Sequence, residues 1–343
     1  MNPFFKIDIH THILPERMPD WTAKFGYGGF IGLEHNAPCC ARMMIDNQHF
    51  RDIEDNCWSA ETRMKECDAS GINVQVLSTI PVLFNYWAKA QDALDTSRFF
   101  NDHIADIVRR YPSRFIGLGT VPLQDVDASI IELERCVKDL GMRGVQIGSN
   151  INDVNLNEKQ FFPFYEAAEK MGAAIFVHPW NIMGKGSIAK YWLPWLVGMP
   201  AETARAICSM IFGGVFEQFP KLRVAFAHGG GSFPATIGRI EHGFRVRPDL
   251  VAIDNPHEPR HYLGKFYIDS LVHDERILDY LVDIMGADKI ALGTDYPFPL
   301  GELQPGALID QMVYADHVKQ RLLSGTALEW LGMPADFFAS QLS

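Results

Sequence analysis

Two histidines one residue apart, His10 and His12, end a short run of alternating apolar and polar residues near the start of the chain. Ile7 and Ile9 alternate with polar neighbours, as is typical of a strand that enters a core. Residues i and i+2 of a strand point to the same side, so both imidazoles leave the strand end together. The pair is half of a possible metal site, although in a chain with 12 histidines two core or solvated residues would give the same pattern.

Further residues that can bind a metal stand at the ends of other predicted strands. The fifth, sixth and eighth predicted strands end in such residues: His178, His228 and Asp295. Each has an ordinary alternative, since a histidine can be hydrogen-bonded in a core and an aspartate can cap a turn. Whether they act together depends on a fold that brings these strand ends to one place.

The elements that must position these side chains alternate between strand and helix. Eight segments have the composition of buried strands, and each is followed by a predicted helix. The predicted strands cover 6–12, 73–78, 115–121, 144–147, 174–178, 222–228, 265–269 and 289–295. This alternation predicts an α/β fold, a closed (β/α)8 TIM barrel, in which the carboxyl ends of all strands meet at one mouth. A doubly wound open sheet is the alternative, but no glycine-rich dinucleotide fingerprint follows the first strand.

A long polar and glycine-rich segment, about 14–58, separates the first strand from the next helix, which Ser59 is expected to cap. It is too long for a simple connection, so we expect an insertion, or flap, that covers the site. No linker-like segment divides the rest. The sequence therefore predicts a single barrel domain over 1–343 with this insertion.

Composition and charge limit the partners. The net charge is −11 and no run is rich in Lys or Arg, so we expect no nucleic-acid partner. An anionic substrate must then be captured by a few local arginines. No apolar run is long enough to span a membrane and we expect no signal peptide, which favours a cytoplasmic protein. The 6 cysteines include no C-x-x-C pair, which favours free thiols in a reducing compartment.

Several longer stretches resemble the metal-dependent decarboxylase branch of the amidohydrolase superfamily. They are FGYGG from 25, HPWN from 178, KYWLPWLVGMPAET from 190, HGGGSF from 228 and GTDYPFPLGE from 293. The resemblance implies that His10, His12, His178 and Asp295 bind one metal ion. Three imidazoles and a carboxylate suit Zn²⁺. The fourth strand ends without a lysine, so a carboxylated lysine that would bridge a second metal is missing and the site is expected to be mononuclear.

The resemblance also implies a reaction. It is the non-oxidative decarboxylation of 2-amino-3-carboxymuconate 6-semialdehyde to 2-aminomuconate 6-semialdehyde and CO2, in the kynurenine branch of tryptophan breakdown. A metal-activated water would supply hydroxide, and His228 would be the acid and base that takes and returns its proton. The alternative for His228 is a fourth imidazole ligand.

Four residues are implied to contact the substrate: Arg51, Arg239, Trp192 and Phe298. The substrate carries two carboxylates, and the guanidinium fork of arginine pairs well with a carboxylate. In the family the second arginine reaches the neighbouring subunit's site, so a homodimer is expected. Ordinary surface arginines and core aromatic residues are the alternatives. Asn181 and Thr11 depart from the aspartate and the serine expected at their positions.

Three other functions stay open at this stage. A related enzyme could decarboxylate an aromatic acid, or a hydrolase of an amide or lactone could use the same barrel. A non-catalytic scaffold could hold the metal only for structure, in which case the coordination shell would be closed.

Overall fold

The computed structural model describes residues 4–184 and 186–338, so the ends of the predicted 1–343 domain lie outside the described residues. The strands, in chain order, are β1 (Ile7–Ile13), β2 (Ile31–Ala37), β3 (Cys40–Ile45), β4 (Gln48–Glu54), β5 (Val74–Thr79), β6 (Phe115–Thr120), β7 (Gly144–Gly148), β8 (Asn150–Ile151), β9 (Val154–Asn155), β10 (Ala174–His178), β11 (Arg223–Phe226), β12 (Tyr267–Asp269) and β13 (Ile290–Ala291).

The helices lie between these strands and after the last one. They are α1 (Trp21–Phe25), α2 (Ala60–Ser70), α3 (Ala90–Arg110), α4 (Val126–Glu134), α5 (Phe162–Met171), α6 (Met199–Phe212), α7 (Val215–Gln218), α8 (Phe233–Val246), α9 (Pro248–Val251), α10 (Glu275–Met285), α11 (Ala307–Gln311), α12 (Asp316–Gln320) and α13 (Thr326–Leu331). As expected, Ser59 caps α2, since its side chain accepts a hydrogen bond from the Thr62 amide. None of the helices in the described ranges combines the length and the apolar character that crossing a bilayer requires.

Eight parallel strands form one sheet in the order β1, β5, β6, β7, β10, β11, β12, β13. Backbone contacts bring the last strand back to the first. The Ile9 amide donates to the Leu292 carbonyl over 2.8 Å, and Thr11 pairs in parallel with Tyr296. The predicted (β/α)8 barrel is therefore confirmed, and the carboxyl ends of its strands share one mouth.

Two of the barrel strands end two or more residues earlier than predicted. The sixth, β11, ends at Phe226 rather than at 228, and the eighth, β13, ends at Ala291 rather than at 295. His228 and Asp295 both have a φ of 57°, in the left-handed region that no strand residue adopts. Both side chains therefore project from turns just beyond the strands, and these turns direct them towards the barrel axis.

The barrel interior below the mouth is filled by side chains. Phe176 on β10 packs against the His10 ring at 4.9 Å and against the Trp330 ring of α13 at 5.9 Å, measured between centroids. Both aromatic residues are fully buried. They form an apolar floor under the mouth, so a polar side chain there has only its neighbours, or a ligand, as partners.

The insertion after β1 contains α1 and an antiparallel sheet of β2, β3 and β4. In this flap sheet Arg51 on β4 lies opposite Met43 on β3. The buried face of the sheet packs on residues at the barrel mouth, among them Ile80 and Val82, which follow β5. The packing holds β4 over the carboxyl ends of the strands. That the chain is one domain stays a prediction.

Candidate metal centre

The Nδ1 atoms of three buried histidines at the mouth each meet an oxygen that can only accept. The pairs are His10 with Asp269 Oδ2 (2.7 Å), His12 with the Thr79 carbonyl (3.1 Å) and His178 with the Pro179 carbonyl (3.0 Å). Each Nδ1 must therefore carry the proton, which leaves the lone pair on Nε2. Such hydrogen bonds are what fixes the tautomer and the ring orientation of metal-binding histidines.

The three Nε2 atoms are buried and lack a hydrogen-bond partner among the described residues. Asp295 faces two of them, with Oδ1 at 3.3 Å from His10 Nε2 and at 3.0 Å from His12 Nε2, but without hydrogen-bond geometry. The rings of His10, His12 and His178 lie 5.1 Å apart, centroid to centroid. Ligand atoms about 2.1 Å from a tetrahedral ion lie about 3.4 Å from one another. The distances from Asp295 Oδ1 to the two Nε2 atoms are close to this value, and the Nε2 lone pairs are free, so the cluster fits a metal ion.

The charge around the cluster also favours a cation. Burial lowers the pKa of His10, but the hydrogen bond to Asp269 and the nearby carboxylate of Asp295 outweigh that effect and raise it to about 10. Burial lowers the pKa of His12 and of His178. Burial raises the pKa of Asp295, yet its contacts with His10 and His12 hold it well below its ordinary value. The negative charge that favours a proton on His10 would also favour a divalent cation beside Asp295, because an ionised carboxylate is a suitable anionic ligand.

His228 stands beside this cluster. Its Nε2 lies 3.8 Å from Asp295 Oδ2, and its ring centroid is 5.1 Å from that of His10 and 5.2 Å from that of His178. One ligand atom from each of His10, His178, His228 and Asp295 can be chosen so that all four lie within 4.8 Å of one another. The geometry therefore allows a set with His228 in place of His12, and the predicted ligand set stays a prediction.

A cavity of about 270 Å³ opens above the cluster, and His12, His178 and Asp295 are part of its lining. Arg51 reaches it from the flap, with its guanidinium carbon 4.7 Å from the Phe298 ring centroid. Burial lowers the pKa of Arg51. Among the described residues no carboxylate pairs with this guanidinium, so a half-buried cation is available to an acidic ligand.

The other residues predicted to bind substrate lie in different places. Phe298 and Trp192 line the cavity, and the Phe298 ring centroid is 5.8 Å from that of His12. Trp192 has a φ of 58° and remains 41% exposed. Arg239 lies exposed on α8 and does not line this cavity, so the structure does not bring it to the site of its own chain.

The two departures from the family pattern occupy supporting positions. Thr11 is buried and donates through Oγ1 to the Val76 carbonyl over 2.8 Å, which ties β1 to β5. Asn181 lines the cavity and donates through Nδ2 to Asp153 Oδ1 over 2.8 Å and to Asn150 Oδ1 over 3.1 Å. Neither side chain is placed among the candidate ligand atoms.

Sequence analysis missed several residues of the site. Trp180 and Trp195 line the cavity, and the sequence gives no signal that separates them from core aromatic residues. Asp269, in contrast, stands at the carboxyl end of the seventh predicted strand and accepts the His10 Nδ1 proton. The rule that selected the other strand ends would have selected it as well.

A parallel (β/α)8 barrel with histidines and an aspartate at its mouth is an arrangement that metal-dependent barrel enzymes use. The model of the amidohydrolase family matches residues 7–333. The chain therefore belongs to the amidohydrolase family.

Individual relatives are similar over most of their length. A 2-amino-3-carboxymuconate-6-semialdehyde decarboxylase from Dictyostelium discoideum is 58% identical over 96% of this chain and 92% of that protein. The protein of the same name from Caenorhabditis elegans is 38% identical over 89% of this chain and 88% of its own. The crystal structure of 5-carboxyvanillate decarboxylase from Sphingomonas paucimobilis is 25% identical, has a TM-score of 0.75, and covers 81% of this chain and 85% of that one.

Proposed function

We propose that this chain decarboxylates 2-amino-3-carboxymuconate 6-semialdehyde to 2-aminomuconate 6-semialdehyde and CO2, as a step of tryptophan breakdown. The observation that carries the proposal is the cluster of buried imidazoles around Asp295 at the floor of a cavity. Arg51 also lines this cavity, and no carboxylate of the described residues pairs with its guanidinium. The 58% identity with a relative of that name supports the choice of substrate.

The proposed substrate carries two carboxylates, and Arg51 would bind one of them. Its guanidinium is already oriented by the rings of Phe298 at 4.7 Å and Trp195 at 5.7 Å, so little side-chain freedom is lost on binding. The cavity walls are largely apolar, which strengthens a charge-assisted hydrogen bond inside. The arginine would thereby turn the scissile end of the substrate towards the cluster.

Decarboxylation replaces CO2 by a proton on one carbon. A vinylic carboxylate has no orbital that can accept the electrons of the breaking bond until that carbon, or its neighbour, becomes tetrahedral. His228 would take a proton from water at Nε2 and give it to the carbon that bears the carboxylate, which becomes tetrahedral. The bond to CO2 then breaks, and its electron pair re-forms the conjugated system. When bound, the metal would lower the pKa of a water towards about 7 and act as a Lewis acid.

We propose Zn²⁺ as the metal and His10, His12, His178 and Asp295 as its ligands. Neutral imidazole nitrogens and one carboxylate oxygen are the donors that zinc accepts in four-coordinate sites. The proton on each Nδ1 leaves the three Nε2 lone pairs free for it. His228 would remain outside the shell, free to exchange a proton.

We also propose a homodimer in which Arg239 enters the neighbouring site and binds the second carboxylate. In support, Arg239 is exposed on α8 and Arg51 is the arginine that lines the cavity of its own chain. Mixing inactive Arg51→Ala chains with inactive Arg239→Ala chains should restore part of the activity, because some mixed dimers contain one intact site. No recovery after mixing would contradict sharing.

A cytoplasmic location is part of the same proposal. All six cysteines are free thiols, including Cys39 and Cys40, whose Sγ atoms lie 3.1 Å apart. Free thiols suit a reducing compartment.

The proposal is tested by incubating the zinc-loaded protein with the muconate semialdehyde while its absorbance and the released CO2 are followed together. Equal rates of substrate loss and CO2 release, abolished by a chelator and restored by Zn²⁺, are expected. Release of CO2 only from hydroxybenzoates would favour the aromatic-acid alternative. Hydrolysis of amides or lactones without CO2 release would contradict a decarboxylase.

A further inference from the structure

Asp269 is a fully buried carboxylate at the end of β12, and the proposed reaction gives it no role. Each of its oxygens accepts two N–H groups. The donors are His10 Nδ1 (2.7 Å) and the His228 amide (2.9 Å) to Oδ2, and the amides of Gly229 (2.7 Å) and Leu271 (3.1 Å) to Oδ1. Four donors match the four lone-pair sites of an ionised carboxylate.

This saturation keeps Asp269 charged inside the barrel. Burial raises the pKa of Asp269, but the hydrogen bond from His10 outweighs that effect and holds it below its ordinary value. A neutral amide of the same shape cannot replace it. An asparagine has only one side-chain oxygen, so in either orientation of its amide the NH2 group faces two N–H donors. Those two donors then have no acceptor.

The same carboxylate also joins two parts of the site that the chain keeps far apart. Oδ2 holds the ring of His10, on the first strand of the barrel, and the backbone of His228, on the turn after the sixth strand. The backbone of that turn is irregular, since His228 and the three glycines after it all have positive φ. Asp269 Oδ2 therefore holds both the ring of His10, which is proposed to bind the metal, and the backbone of His228, which is proposed to move the proton.

We propose that Asp269 is a positioning residue that sets both the Nε2 lone pair of His10 and the place of the His228 turn, so that metal affinity and the position of the base depend on one carboxylate. The inference rests on the proposed metal centre. Removing the partner of a metal-binding histidine lowers metal affinity by roughly 10- to 100-fold.

The test compares Asp269→Asn with a matched control, Glu132→Gln. Glu132 is also fully buried and accepts N–H groups from Asn101 at 2.7 Å, Arg98 at 3.1 Å and Arg135 at 2.9 Å. It lies in α4 and does not line the cavity. Both variants lose a buried charge, so both should lose stability. Only Asp269→Asn should lower the zinc affinity of folded protein by roughly 10- to 100-fold, measured by competition with a chromogenic chelator.

Visible spectra of the cobalt-substituted proteins provide a second readout. The d–d bands of Asp269→Asn should shift, because the His10 ring is no longer held, while those of Glu132→Gln should match the wild type. Equal zinc affinity and equal spectra in both variants would overturn the inference. Failure of the wild-type protein to bind zinc would instead overturn the proposed metal centre, so the two failures are distinguishable.

Hydrogen exchange on the wild-type chain keeps the inference testable if Asp269→Asn does not fold. Removal of zinc should speed exchange at the amides of His228 and Gly229. Both amides donate to Asp269, and without the metal the His10 ring no longer holds that carboxylate in place. A peptide over 128–134 in α4 should exchange at the same rate in both states. Unchanged exchange at 228–229 would contradict the link.

Discussion

At the residue scale, three imidazoles of the cluster, His10, His12 and His178, are paired in the way that suits a metal ligand. Each has one nitrogen satisfied by an oxygen and the other left without a hydrogen-bond partner among the described residues. A buried polar atom without a partner is costly, and three of them beside Asp295 are the arrangement expected for the proposed metal ion. The pairs of His12 and His178 were not predictable from the sequence, because their acceptors are backbone carbonyls that any residue could supply.

Removal of a proposed ligand should remove the metal. His178→Ala deletes an Nε2 that nothing else in the cluster replaces, so zinc content and CO2 release should fall together. Metal content is measured by atomic emission on dialysed, folded protein. Full zinc occupancy in the variant would exclude His178 from the coordination shell.

Removal of the proposed base should have a different effect. In His228→Ala the proposed ligands stay in place, so zinc should be retained while turnover falls by roughly 100-fold or more. The same metal analysis and a single-turnover CO2 assay distinguish the two roles. Loss of zinc from this variant would make His228 a ligand, in the set that contains it in place of His12.

Arg51 is expected to act through its planar fork and not only through its charge. Arg51→Lys keeps the cation but loses one of two charge-assisted hydrogen bonds, so KM should rise by roughly 10-fold or more. Arg42→Lys is the control, because Arg42 lies on neighbouring β3, is half exposed, and faces Asp52 at 3.7 Å. An unchanged KM for Arg51→Lys would remove Arg51 from substrate binding.

At the element scale, the site depends on how closely β1, β12 and β13 approach one another. Gly293 follows β13, and a Cβ there would lie 2.7 Å from Asp269 Cβ and 2.9 Å from His10 Cβ. Any side chain would push His10 and Asp269 away from their present positions. The sequence indicated that strand ends carry the chemistry, but it did not reveal that a glycine sets their spacing.

The effect of that close approach can be measured by adding one methyl group. Gly293→Ala should destabilise the protein by about 1–3 kcal/mol and weaken zinc binding, because both neighbours are held by packed strands. Gly243→Ala is the control: a Cβ at this position in α8 meets no atom within 4 Å, and it should be neutral or stabilising. Chemical denaturation of the metal-free proteins compares the two. Equal stabilities would contradict the packing argument.

At the scale of the whole molecule, alternation of strand and helix was enough to predict the barrel, because a parallel sheet of this size must bury both faces. β11 and β13 end earlier in the chain than was predicted. The largely apolar segments 222–228 and 289–295 are typical of strands, and they give no sign of the positive φ of His228 and Asp295. Amino-acid composition alone could not predict that Arg239 lies outside the cavity of its own chain. The antiparallel flap sheet was expected only as an insertion, since its alternation is irregular.

The acid stability of the whole chain should depend in part on His103, on the inner side of α3. Burial lowers its pKa from 6.5 to about 4. Between these values the unfolded chain binds the proton more readily, so stability is lost as pH falls through this window, by up to roughly 3 kcal/mol. In metal-free His103→Gln the stability should fall less steeply between pH 6.5 and 4. Parallel curves for the two proteins would contradict this assignment.

The central claim is that distant strand ends converge on one metal ion, and anomalous diffraction at the zinc edge tests it most directly. The account predicts a single peak about 2.0–2.2 Å from Nε2 of three histidines and one oxygen of Asp295, the histidines being His10, His12 and His178. A peak bound by His228 with His12 outside the shell, or a fully zinc-loaded crystal without a peak at the barrel mouth, would contradict it.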